Sequence, residues 1–175
     1  MPDEIEIVDY DPNWPRLFEG ERALIERALP ADQVLAIEHA GSTAIPGLAA
    51  KPIIDIYLAV ASIEQARATL VEPIERIGYL YWAENPKLDR MFFVKGLPPY
   101  GERRTHHIHI SEPAGEAWQR PLLFRDYLRR HPDEAQNYHR LKTDLASRYR
   151  HDREAYTSAK DGFVEAIVRL ARANS

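Results

Sequence analysis

Residues 37–57 read IEHAGSTAIPGLAAKPIIDIY. A short β-prone segment, 34–37, leads in. Gly41 and Gly47 punctuate two turns, and residues 53–60 (IIDIYLAV) leave as an almost wholly apolar run. Such a run is expected of a strand buried on both faces. Asp55 lies inside it, and a carboxylate in apolar surroundings is costly unless it is paired, hydrogen-bonded or bound to a metal. Gly41 and Ser42 let backbone N–H groups approach a ligand closely, and the hydroxyls of Ser42 and Thr43 can donate to phosphate oxygens. Lys51, just before the strand, offers a counter-charge for phosphate or a partner for Asp55. The plain alternative is a tight turn joining two strands, with Asp55 in a structural salt bridge. Glycine, hydroxyls, lysine and a mid-strand acid within one short stretch favour a ligand site.

Outward from this stretch, residues 12–29 carry apolar side chains at helical spacing, and Pro15 suits a first turn. Ser62 reads as the N-cap of a helix over 63–77 that stops at Gly78, with Pro73 predicting a kink or an early end. Strands are expected at 79–82, 91–94 and 105–111, with a Gly-, Pro- and Arg-containing loop, 96–104, before the last. Beyond Glu116 the pattern turns helical: one helix ended by Pro132, a second over 135–149, and a third near 163–170 or a continuation of the second. Strands followed by helices indicate an α+β fold: a mixed sheet of about five strands, flanking helices and a C-terminal helical segment. We expect one domain over 1–175, with residues 1–112 the sheet-containing core and 113–175 a helical part packed on it.

The chain has 175 residues, 45% of them hydrophobic, enough to bury a substantial core. It contains no cysteine, which excludes disulfides and thiolate metal sites and suits a cytoplasmic setting. The acidic start does not read as a signal peptide, and no apolar run approaches membrane-spanning length. A net charge of −4 argues against a specific nucleic-acid partner but leaves room for a local basic pocket. The oligomeric state is not legible.

At Gly41–Ser42, the spacer and Asp55 the sequence resembles polymerase-beta-like nucleotidyltransferases. The longer string HAGSTAIPGLAAKPIIDI, with RRTHHIHI and FRDYLRRHPDEAQNYHRLK, resembles the GrpB family within that superfamily, over roughly residues 5–165. The resemblance implies a nucleotidyltransferase-like sheet in which two carboxylates, one residue apart, hold magnesium with a third from a later strand. Asp55 stands at the first position. Tyr57 stands at the second, and a phenol is a poor magnesium ligand at neutral pH.

His107 and His109 alternate on one expected strand and so share a face, fit for one metal ion or for proton transfer. Asp55 with two imidazoles suits Mn, Zn, Fe or Ni better than Mg. Asp55 and His109 are therefore the candidate catalytic residues, and Asp55, His107 and His109 the candidate metal ligands. The other reading of the two histidines is a pocket wall without metal. Gly41, Ser42, Thr43, Lys51, Arg104, Arg125 and Lys142 are the candidate phosphate ligands, and Glu38, His39, Tyr57 and Tyr138 further pocket candidates. The alternative for His39 is an ordinary strand-end histidine.

The expected partner is a nucleotide or other phosphorylated small molecule, with a divalent metal (Mg, Mn or Zn) as candidate cofactor. Three functions follow: nucleotidyl transfer to a small acceptor; binding without turnover, as the resemblance to an extension of some dephospho-coenzyme A kinases implies; and, least supported, a histidine-dependent phosphoesterase.

Overall fold

The computed structural model describes residues 4–174. Helix α1 (Trp14–Ala28) precedes β1 (Ala36–Ala40), a 3-10 turn (Ser42–Ala44) and β2 (Ile54–Ala59). Helices α2 (Ile63–Thr69) and α3 (Val71–Arg76) lead to β3 (Tyr79–Tyr81), β4 (Arg90–Lys95) and β5 (His106–Ser111). Helices α4 (Glu116–Arg130), α5 (Pro132–Arg148), α6 (Arg153–Ser158) and α7 (Asp161–Ala173) complete the described chain. The fold is α+β, with a five-stranded open sheet in the order β1-β2-β5-β4-β3. The sheet is mixed: β2 and β5 are parallel and the other neighbouring pairs antiparallel.

One expected helix is two. Pro73 is the third residue of α3, where its missing N–H leaves no helical bond unmade. Ser62 caps α2 as expected, accepting from the Gln65 N–H. Pro132 does more than end α4, because it also opens α5 at its first position. The third C-terminal helix is distinct from the second and is preceded by the short α6, which the apolar spacing did not signal.

Strand alternation gives the sheet two unlike faces. On one face Ile54, Ile56 and Leu58 of β2 and Ile108 and Ile110 of β5 join Trp14, Phe18, Ile25, Leu70 and Ile74 in the main core. Asp55 and Tyr57 point the other way and remain partly accessible, so β2 is buried on one face and lines a pocket on the other. This corrects the expectation of burial on both faces. A second apolar cluster ties Ile45 and Leu48 of the loop after β1 to Phe124, Leu128, Tyr138 and Ile167. The loop after β1 is thereby clamped between sheet and C-terminal helices.

Candidate metal and anion site

The registers place the chemistry in one line across the sheet. Ala40 pairs with Asp55, Asp55 with His107, and His107 with Val94, so these side chains share the pocket face. Asp55 Oδ1 lies 3.0 Å from His107 Nδ1 and 3.4 Å from His109 Nε2. Gly41 is required here: its φ is +72°, and a Cβ on it would stand 2.5 Å from Asp55 Oδ2.

Burial pushes the Asp55 carboxyl up, but hydrogen bonds from His107 and His109 outweigh it and hold the group well below the usual carboxylate range. Its side chain is nevertheless 26% accessible, so Asp55 is open to a ligand and not sealed in the core. Burial lowers the His107 imidazole, partly offset by Asp55. His107 Nε2 is buried and has no hydrogen-bond partner among the described residues. Whichever nitrogen holds the proton, one nitrogen of this buried ring is left for a ligand. Tyr57 stacks on His109 with ring centroids 4.4 Å apart, and burial followed by the Asp55 charge pushes its phenol up, so it stays protonated.

Cations gather beside Asp55. Lys142 is 2% exposed and donates to the Ala49 carbonyl. Burial, followed by Lys160 and Lys51, pushes its ammonium down to about 7. Lys51 is also pushed down to about 7, by burial and then by Arg153 and Lys160. Lys160 falls to about 8, mainly through burial. Lys51 and Lys160 lie 5.0 and 4.2 Å from the Tyr156 ring centroid, and Lys142 lies 4.9 Å from that of Tyr138. Arg104 adds to the positive charge at Lys51. Burial pushes the Tyr138 phenol up, and the neighbouring Ser42 offsets this in small part, so the turn and Tyr138 stand side by side.

Among the residues singled out from the sequence, Gly41, Ser42, Lys51, Asp55, Tyr57, Arg104, His107, His109, Tyr138 and Lys142 thus converge. Four do not. Thr43 is buried, its hydroxyl engaged by His39 Nε2 and the Ile53 carbonyl. His39 lies within β1, on the core face, stacked on Phe18 and pushed down to about 4 mainly by burial. Arg125 NH1 binds Glu38 at 2.7 Å and the His39 carbonyl at 2.8 Å, so Arg125 and Glu38 close the outer edge of β1. These groups border a separate cavity of about 320 Å³ between α1, β1 and α4. Tyr156, Lys160 and Arg153 were not foreseen. The signal for them was Asp152, which caps α6 by accepting from the Ala155 N–H.

A family model described as GrpB protein matches residues 4–170. The chain belongs to the GrpB family. A UPF0157 protein of Pseudomonas aeruginosa is 52% identical over 171 residues, covering 98% of this GrpB chain and 69% of that protein. The crystal structure of conserved protein GrpB from Enterococcus faecalis matches with a TM-score of 0.85 and 36% identity, over 97% of this chain and 98% of that one. A dephospho-CoA kinase of Mycolicibacterium paratuberculosis is 30% identical over 190 residues, covering 95% of this GrpB chain but 46% of the kinase. Among the described residues, no helix is long and apolar enough to cross a membrane.

Proposed function

We propose that the chain binds the phosphate groups of a small molecule in this cleft, a nucleoside triphosphate or another phosphorylated metabolite, beside a divalent metal ion. One observation carries the reading: Lys51 and Lys160 both stand over the Tyr156 ring, and Lys142, over Tyr138, is pushed down by burial and then by the charges of both. Clustered, partly desolvated ammonium groups destabilise a folded chain, and a polyanion supplies the compensating charge.

The metal fits the donor set. Asp55, His107 and His109 offer one ligand atom each, all within 4.8 Å of one another. The 3.0 and 3.4 Å separations match the spacing of donors that share an ion at ~2.1 Å. Two imidazoles and one carboxylate favour Mn, Zn or Fe over Mg. A bound ion would supply Lewis-acid polarisation of a phosphoryl oxygen. The chain's own residues then divide the remaining tasks: the lysines hold phosphate oxygens, and Ser42 and Gly41 present a close backbone edge. The free nitrogen of His107 can exchange a hydrogen bond with the ligand.

Nucleotidyl transfer to a small acceptor is the reaction that the resemblance to polymerase-beta-like enzymes suggests. Tyr57 favours a second reading, phosphometabolite binding without turnover, because a protonated phenol stacked on His109 cannot serve as a second carboxylate. The partial similarity to a dephospho-CoA kinase supports a supporting role in cofactor metabolism.

Calorimetric titration with tripolyphosphate tests the anion site. We expect saturable binding with proton uptake at pH 8, because the ligand restores charge to lysines poised near 7 and 8. Titration with Mn or Zn should show a site that Asp55→Asn weakens on the order of 100-fold. No saturable tripolyphosphate binding, or binding indifferent to Lys51→Met with Lys160→Met, would overturn the reading. Incubation with a nucleoside triphosphate and Mn, followed by product analysis, separates transfer from binding.

A further inference from the structure

Next to the line of Asp55 and His107 runs a second line, of which the phosphate reading uses His109 as a metal ligand but neither Phe92 nor Trp82. Tyr57 pairs with His109, and His109 with Phe92. The Trp82 N–H donates to the Phe92 carbonyl at 2.9 Å, extending the β3–β4 ladder one residue past Tyr81. Trp82, Phe92, His109 and Tyr57 therefore stand side by side across four strands, on the face that carries Asp55. Successive ring centroids are 6.0, 4.9 and 4.4 Å apart.

The row is uneven in its cover. Its Tyr57 end stands next to Asp55 on the same face of β2, whereas its Trp82 end is 48% exposed and Phe92 is half-buried. Trp82 is in addition a large aromatic that joins none of the apolar clusters. An open aromatic row beside a recess rich in ammonium groups is matched by a ligand with two unlike ends, one planar and one anionic. Strands lie ~4.8 Å apart, so the three steps from β2 to β3 span roughly 14 Å. That separation suits a ring joined to a chain of phosphates through a sugar-sized spacer.

We propose that Trp82 and Phe92 form a stacking shelf for a planar heteroaromatic ring carried by the same ligand whose phosphates occupy the lysine recess. This rests on the phosphate reading above and specifies the ligand class: a ring-bearing phosphate, not inorganic polyphosphate or a phosphorylated aliphatic compound. Ring recognition by stacking tolerates different bases, because every base presents a π face. The shelf therefore selects for a ring and not for its hydrogen-bonding pattern.

The test compares tripolyphosphate with ATP by metal-free calorimetry on the full chain and on two variants, Trp82→Ala and Phe92→Leu. Trp82 is exposed enough to be truncated without opening the core. The shelf predicts that ATP binds more tightly than tripolyphosphate, by roughly 5- to 150-fold, the range of a base–aromatic stack. Either variant should erase most of that advantage and leave tripolyphosphate affinity unchanged. GTP and UTP should show the same loss. Equal affinity for ATP and tripolyphosphate overturns the shelf and leaves the phosphate site standing. An ATP advantage that survives both variants also overturns the shelf. If neither compound binds, the phosphate reading fails, and the shelf with it.

Discussion

Replacing Lys142 with Met separates a functional lysine from a structural one. The amine is 2% exposed and its value falls from 10.5 in the unfolded chain to about 7 in the folded one, mainly through burial. Between those values the unfolded chain holds the proton and the folded chain releases it, so stability rises with pH across the window. Each pH unit inside it is worth up to ~1.4 kcal/mol, so between pH 7 and pH 9 this lysine contributes about 2 kcal/mol to the rise. Methionine has a similar length and no charge, and Lys142→Met should lose that part of the slope. The exchange also leaves the buried Ala49 carbonyl without its donor, which costs about 1–3 kcal/mol at every pH. The effect at any single pH mixes these two opposing contributions, so the difference between the two pH values is the diagnostic. Urea unfolding of ligand-free wild type and variant, extrapolated to water at pH 7 and pH 9, measures it. We expect the variant to gain on the wild type by about 2 kcal/mol on going from pH 9 to pH 7. Tripolyphosphate affinity should fall about 10- to 100-fold, the worth of a buried charge-assisted hydrogen bond. A stability difference identical at both pH values would refute the reasoning, since Lys142 would then stay charged in the folded chain across that range.

Gly41→Ala places a Cβ 2.5 Å from Asp55 Oδ2 at a φ of +72°. It should cost roughly 1–3 kcal/mol in thermal or urea unfolding and displace the carboxylate, weakening Mn or Zn binding by calorimetry. Unchanged metal affinity would separate the turn from the site. Arg125→Ala removes the donor to Glu38 and to the His39 carbonyl. It should destabilise the chain by about 1–3 kcal/mol and leave tripolyphosphate affinity as in wild type. A large affinity loss would return Arg125 to the anion site.

Much of the site was legible because strand alternation is a local rule. His107 and His109 share a face for the same reason that Asp55 and Tyr57 do, and the sequence alone displays both pairs. That Asp55 needs partners followed from its apolar neighbours, and the structure gives it two imidazoles. Arg125 misled because a basic residue on an expected helix does not reveal what that helix meets. In the fold the residue meets the edge of β1, where Glu38 and a free carbonyl await a cation. Thr43 misled because adjacent hydroxyls on a 3-10 turn diverge, and its own turns inward to His39 and the Ile53 carbonyl.

The stretch 37–57 by itself determined the two turns, the strand and its mid-strand acid, because glycine conformation and a run of apolar residues are written within a few residues. Lys51 and Lys142 could be picked out as cations, but nothing local says that they meet Lys160, ninety or more residues away from the first of them. Nor does local sequence align Trp82 with Phe92, His109 and Tyr57. Those meetings depend on strand order and on where the C-terminal helices dock, which are set by burial summed over the whole chain. The sequence therefore named the acid and its histidines, and only the tertiary structure decided that they share a cleft with three lysines and an aromatic row.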